Sequence, residues 1–455
     1  MIILRVLLFL ASLALTTAQQ NSTVQVYKES KTYTYFGCYN ETTDIAGSGH
    51  TRALADGANE VKKGEMTVPM CLDFCYNGEN GTHYRYAGLE WSSFNVVIPV
   101  LVRHNETVFL GVPLPYKTGE ANAPGNSDEK LRTEVATYIW LQEHCPDVPI
   151  PTLYGFGFPD GSTFTNPSNT PFITKLLWLL RRWILKLVGR PVPSQPLDLY
   201  FQMLENEGIP SGIPRQKTYT AVEAYISDLI SLQDNKILHQ PNAIHDLDDG
   251  KSQLSALAAL RAIMHMFIRP EYRDGPFHLT LTDLHQSNIF VDEQWNIQTI
   301  IDLEWAHTRP IEMQVPPYWL TSRAADGFYD VDAIAEYETI LDEYLSIYAE
   351  EEQWRNGEVV QAPIQRHVWK SGSFWYFHAV SIPKGMYNLF NRHIQPLFNA
   401  EHSETRIFDE VFSWYWNVHA QKTIQTKLAD KEDYLDRVRK AFGCSMETTY
   451  IESGH

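Results

Sequence analysis

Apolar and polar positions change their period several times along the chain. FNVVIPVLV (94–102) and TVFLGVPL (107–114) are β-rich runs separated by the polar break Arg103-His104-Asn105-Glu106, a pattern that predicts a hairpin. A loop rich in Gly, Asn and Pro follows (KTGEANAPGNS). DEKLRTEVATYIWLQEHC then reads as a helix, with Asp128 as its expected cap and Leu131, Val135, Tyr138, Ile139 and Leu141 as its apolar face. PDVPIPTLYGFG is a proline-punctuated extended segment. FITKLLWLLRRWILKLV (172–188) is amphipathic and basic. Lys175, Arg181, Arg182 and Lys186 exclude a membrane span there and leave a helix packed on its own domain, or one lying on a membrane surface. Further helices are expected at 219–233 and 252–268. HLTLTDLHQSNIFVD predicts strand, loop and strand, NIQTIIDLEWA one more strand, and the rest to about 441 a Trp- and Tyr-rich helical region. The expected class is α+β.

The chain is 455 residues long, enough for two or three domains, and 44 % hydrophobic, enough for a packed core. Its net charge of −18 argues against a nucleic-acid partner, which needs a basic surface. The front adds a separate signal. MIILRVLLFLASLALTTAQQ has a basic residue, a short apolar run and a small-residue end at Ala18, the layout of a secretory signal peptide over 1–18. The run falls short of the roughly 20 residues that a stable span needs. Asn-x-Ser/Thr sequons stand at Asn21, Asn40, Asn80 and Asn105 and nowhere later, so a secreted glycoprotein is expected. Cys38, Cys71 and Cys75 lie in the front; only Cys145 and Cys444 follow.

Between 33 and 91 the residues Gly37-Cys38-Tyr39, Arg52-Ala53-Leu54, Met66-Thr67-Val68, Cys71, Cys75 and Tyr86-Ala87-Gly88-Leu89-Glu90 resemble the WSC domain, a small disulfide-built module of fungal cell-surface proteins. About two-thirds of such a domain is covered, since the family's later cysteines are replaced by Trp91-Ser92-Ser93-Phe94. A module this small needs its staples. The resemblance implies a cell-wall glycan as partner, with Tyr84, Tyr86 and Trp91 as candidate stacking residues; ordinary packing aromatics are the alternative.

The chemistry concentrates in LTDLHQSNIFVDEQWNIQTIIDLEW (281–305). Phosphoryl transfer needs a carboxylate to orient the acceptor hydroxyl and oxygen ligands for Mg²⁺. Asp283 suits the first task. Asn288, five residues on, and Asp302, at the end of the next strand, suit the second. The stretch resembles the aminoglycoside phosphotransferase (APH) family, and more closely a fungal branch of it. FNVVIPV, TYIWLQEHCPDVPIP, GPFHLTLTDLHQSNIFVD, IIDLEWA and RPIEMQVPPYWLT carry the likeness, which spans roughly 94–440. It implies a protein-kinase-like two-lobed fold, with a small lobe at about 94–158 and a large helical lobe at about 196–440. It also implies ATP and Mg²⁺ as cofactors and a small-molecule hydroxyl as acceptor. In that plan a helix acid, here Glu134, pairs with a basic residue of the third strand.

Three departures accompany the likeness. Leu281 stands where the family usually has His. Gly111 stands where the strand's basic residue is expected, leaving Lys117, past two prolines, as the candidate. No hinge-like run precedes DLYFQMLENEG, so the small lobe and hinge read as incomplete. Three other readings stay open. One is a catalytically inactive, pseudokinase-like secreted or cell-surface protein that binds carbohydrate through its front. Another is a chimeric gene, which would place the enzyme in the cytoplasm. The third is a metallohydrolase using Asp283, His285, Asp302, Glu304 and His307.

Overall fold

The computed structural model describes residues 95–101, 107–114, 117–165, 199–214, 217–398 and 405–441. The signal peptide, the WSC-like segment with Tyr84, Tyr86 and Trp91, all four sequons and the basic stretch 172–188 lie outside the described residues.

Among the described residues, eight strands form four two-stranded antiparallel sheets and helices make up most of the remainder, an α+β architecture. β1 (Asn95–Leu101) pairs with β2 (Thr107–Pro113) from Asn95 opposite Pro113 to Leu101 opposite Thr107, the expected hairpin. α1 (Asn126–His144) follows. Its N-cap is Gly125 at φ 97°, with no side-chain cap; Asp128 instead lies in the first turn, where its charge favours the positive end of the helix dipole. β3 (Gly155–Gly157) and β4 (Thr163–Thr165) form a short hairpin that the extended reading of this region did not anticipate.

α2 (Leu199–Asn206), α3 (Val222–His239) and α4 (Leu247–Phe267) begin the helical region. Apolar positions Val222, Ile226, Leu229, Ile230 and Ile237 of α3 recur at helical spacing and are buried on one face. α4 starts where the Asp246 carboxylate accepts the Asp249 N–H at 2.9 Å. It is packed closely on one side: a β-carbon at Gly250 would stand 2.9 Å from the Ile424 side chain.

β5 (Phe277–Leu281) pairs with β8 (Ala306–Pro310), and β6 (Ile289–Val291) with β7 (Ile297–Ile300). α5 (Val331–Asn356) is capped by Asp330, whose carboxylate accepts the Ala333 N–H at 2.7 Å, and ends at Gly357, which supplies the left-handed φ of 76°. α6 (Gln361–Lys370) and α7 (Ser373–Ser381) come next. α8 (Met386–Leu389) runs through a π-turn (Phe390–Ile394) into α9 (Gln395–Phe398). α10 (Thr405–Trp416) and α11 (Ala420–Ala441) end the described chain.

The core lies among α3, α4, α5, α6 and α7. It is aromatic: Phe328 meets Tyr337 edge-on at 5.0 Å and Phe374 meets Trp375 at 4.8 Å. Among the described residues no helix is long and apolar enough to cross a membrane.

Candidate active site

The β6–β7 hairpin and the antiparallel β5–β8 pair that brackets it in sequence place the acidic loops side by side. The last pair of the β5–β8 ladder sets Leu281 opposite Ala306. Immediately beyond it, the Trp305 carbonyl accepts both the Thr282 N–H (2.8 Å) and the Thr282 hydroxyl (2.7 Å). The residue after Thr282 is Asp283. The β6–β7 ladder pairs Ile289 with Ile300, and the Ile301 N–H then donates to the Asn288 carbonyl at 3.0 Å. The residue after Ile301 is Asp302. The Asn288 amide nitrogen donates to the Asp283 carbonyl at 2.9 Å. Asp283, Asn288 and Asp302 therefore share one corner, fixed by backbone bonds on both sides.

Asp302 holds a left-handed φ of 62°, a strained conformation that Asp tolerates better than most residues. Burial, and then the charge of Glu304, push its carboxyl up to about 6, with Lys130 opposing. Glu134, half-buried on α1, is pushed up to about 7 by burial, the charge of Glu304 and that of Asp302, again against Lys130. Tyr138, one turn further, keeps its phenol proton well above the usual range because it is buried beside the same carboxylates.

α1 thus turns a polar stripe inward. Its buried residues are Asn126, Lys130, Val135, Thr137 and Leu141; Ile139, assigned to the apolar face by periodicity, is exposed. Val135 and Leu141 are buried and Leu131 and Tyr138 partly so, as the periodicity predicts; the buried polar residues Asn126, Lys130 and Thr137 extend that face beyond its apolar positions. The cation beside Glu134 is Lys130, four residues earlier on the same helix. Lys130 is fully buried. Its ammonium donates to Glu304 Oε2 at 2.5 Å and to Asn95 Oδ1 at 3.0 Å, and lies 5.8 Å from the centre of the Trp305 ring. Asn95 Nδ2 donates to the same Glu304 oxygen at 2.8 Å.

Lys117, the cation proposed from sequence, lies in the turn after β2, where its N–H donates to the Leu114 carbonyl. Lys130 and Asn95 were missed. Their one signal was a lysine and an acid spaced i, i+4 on the helix that precedes the candidate site.

His285 makes local hydrogen-bond contacts within its own loop. Its Nδ1 is 2.6 Å from the Ser287 hydroxyl and its Nε2 is 3.5 Å from the Asn288 amide. Burial lowers its pKa, so the ring is neutral at pH 7 and the 3.9 Å approach to Asp283 is not an ion pair there. The His307 Nε2 is 3.3 Å from the Tyr225 hydroxyl and accepts from Arg309 Nε at 3.2 Å. Among the described residues no three His, Cys, Asp or Glu side chains converge as a metal cage.

The donor set nevertheless fits Mg²⁺. Asn288 spends its amide nitrogen on the Asp283 carbonyl, so its oxygen would be the atom to face a cation. Asp302 is exposed at the surface, but its carboxylate is crowded by the charge of Glu304, and a divalent cation would relieve that crowding. Mg²⁺ usually takes only one or two protein ligands and completes its shell with phosphates and water. Tyr318, on the short 3₁₀ turn Tyr318–Thr321, is held protonated by burial and by the charges of Asp283 and Asp326, which puts a phenol beside the proposed base. No protein-family model, curated protein or solved structure matches this chain.

Proposed function

We propose that this corner is the catalytic centre of a kinase-like phosphotransferase of the APH type, which transfers the terminal phosphoryl group of ATP to a hydroxyl of a small molecule. One observation carries the reading: the β5–β8 and β6–β7 strand pairs bring Asp283, Asn288 and Asp302 together, with an α1 acid, Glu134, interacting electrostatically with Asp302. The acceptor oxygen forms its bond to the γ-phosphorus as the bond to the β–γ bridging oxygen breaks. ADP leaves with that electron pair, and the hydroxyl proton passes to Asp283. Asn288 and Asp302 would hold Mg²⁺, which when bound neutralises charge on the phosphates.

The test is Asp283→Ala in the full chain. Loss of a positioned base costs about 10²–10⁴-fold in rate, so transfer to any accepted alcohol should fall by that much. Full turnover in the variant would remove Asp283 from the role.

A second reading, a binding protein with impaired catalysis, is favoured by Gly111. The β1–β2 register sets Gly111 opposite Val97, two residues from Asn95, so both lie on the face that Asn95 turns to Lys130 and Glu304. That position supplies no charge to a phosphate. On this reading the protein is a secreted glycoprotein whose front holds glycan through Tyr84, Tyr86 and Trp91. Glycan binding without nucleotide binding would establish it.

A further inference from the structure

Lys130, Asn95 and Glu304 come from α1, β1 and the segment between β7 and β8, and their side chains close a three-membered ring of hydrogen bonds. Lys130 and Glu304 are almost completely removed from solvent, at 0 % and 1 % exposure. A lysine so enclosed does not reach a nucleotide phosphate. We propose that the ring is a clasp that positions Asp302 and, through Trp305, Asp283; its three members are positioning residues and touch neither ATP nor acceptor. The proposal rests on the phosphotransferase reading for what is positioned.

The geometry runs in two directions from Glu304. Two residues before it stands Asp302, in a left-handed conformation that persists only where its flanks are fixed. One flank is fixed by Ile301 bonding to Asn288, the other by Glu304 bonding to Lys130 and Asn95. One residue after Glu304, the Trp305 carbonyl holds Thr282 by two bonds, and Thr282 precedes Asp283. Freeing Glu304 therefore loosens the proposed metal ligand and the proposed base together. Stability alone is a poor reason for such a pair. A buried ion pair is often replaced by neutral side chains without loss, whereas removing one partner strands the other charge.

The experiment compares wild type, Lys130→Met, and the double variant Lys130→Met/Glu304→Gln, all as full chains. The double variant leaves no stranded charge and keeps the fold testable where the single variant does not. Groups that hold a metal ligand in place without touching the metal are worth about 10–100-fold in metal affinity. The double variant is expected to need 10–100-fold more Mg²⁺ for half-maximal phosphotransfer, with kcat reduced and acceptor KM unchanged. Wild-type Mg²⁺ dependence and kcat in the folded double variant would overturn the clasp. Amide hydrogen exchange at 301–305 and 282–288 reads the clasp without catalysis. Faster exchange confined to those segments supports it, and unchanged exchange overturns it. If the wild type itself transfers no phosphate, the functional reading falls and the exchange result still decides the clasp.

Discussion

Replacing Glu134 by Gln should stabilise the protein above pH 7 and do nearly nothing at pH 4.5. The Glu134 carboxyl is raised from 4.5 to about 7, first by burial and then by the charges of Glu304 and Asp302. One pKa unit is about 1.4 kcal/mol, so the rise corresponds to about 3 kcal/mol. The sign follows from proton uptake. Between pH 4.5 and 7 the folded chain holds this proton more tightly than the unfolded chain, so stability falls as pH rises through that window. Above about pH 7 both states are ionised and the full cost is present; below 4.5 both are protonated and the cost is gone. Gln has a similar shape and no charge to desolvate. At pH 7.5 the variant should therefore be more stable by about 3 kcal/mol, a rise in melting temperature on the order of 5 °C. At pH 4.5 the two proteins should melt together. Thermal melts of both at half-unit steps from pH 4.5 to 8 measure the difference directly, and the pH effects of groups that do not interact with Glu134 cancel. A constant difference across the range, or a variant less stable at pH 7.5, would refute the view that Glu134 is a strained acid.

Gly111→Lys should strengthen nucleotide use. No heavy atom lies within 4 Å of a β-carbon built there, and the position lies on the Asn95 face of the hairpin, so the expected result is an ATP KM lowered severalfold or more. An unchanged ATP KM would dissociate Gly111 from the phosphate site. Asp330→Ala removes the side-chain cap of α5 and should cost about 1 kcal/mol by denaturant melt, with phosphotransfer unchanged at permissive temperature. Phe374→Ala in the aromatic core should cost about 3–5 kcal/mol, seen as a large drop in melting temperature; a loss under 1 kcal/mol would mean that the site is not the tight packing described.

Much of this architecture was legible where the period was clean. The β1–β2 hairpin, the strand–loop–strand around Asp283 and the helices α3 and α4 follow from alternation and helical spacing, with boundaries moved by a few residues. The corner itself was legible because backbone ladders fix it. Once β5 pairs with β8 and β6 with β7, Asp283, Asn288 and Asp302 are carried to one place. What escaped was the polar part of α1's inward face, since Val135 and Leu141 are buried as expected. A periodicity argument looks for apolar side chains, and this helix buries Lys130 and turns Glu134 toward an acidic partner. The lysine is stable there only because Glu304 and Asn95 are brought to it from 174 residues later and 35 residues earlier in the chain. No local pattern encodes that meeting. The Gly125 cap escaped for a simpler reason: Asp128 is a good capping residue, but the chain turns three residues sooner.

If the Asp283 corner is a phosphotransferase centre, it moves a phosphoryl group. The most direct measurement is ³¹P NMR of ATP and Mg²⁺ with the full chain, followed over hours beside the Asp283→Ala protein. Water serves as the acceptor of last resort, so the experiment does not depend on knowing the alcohol. A phosphotransferase centre gives a slow, Mg²⁺-dependent loss of the γ-phosphate resonance in the wild type, reduced by about 10²-fold or more in the variant. A γ-phosphate that is untouched by the wild type, or consumed equally by both proteins, would contradict that assignment.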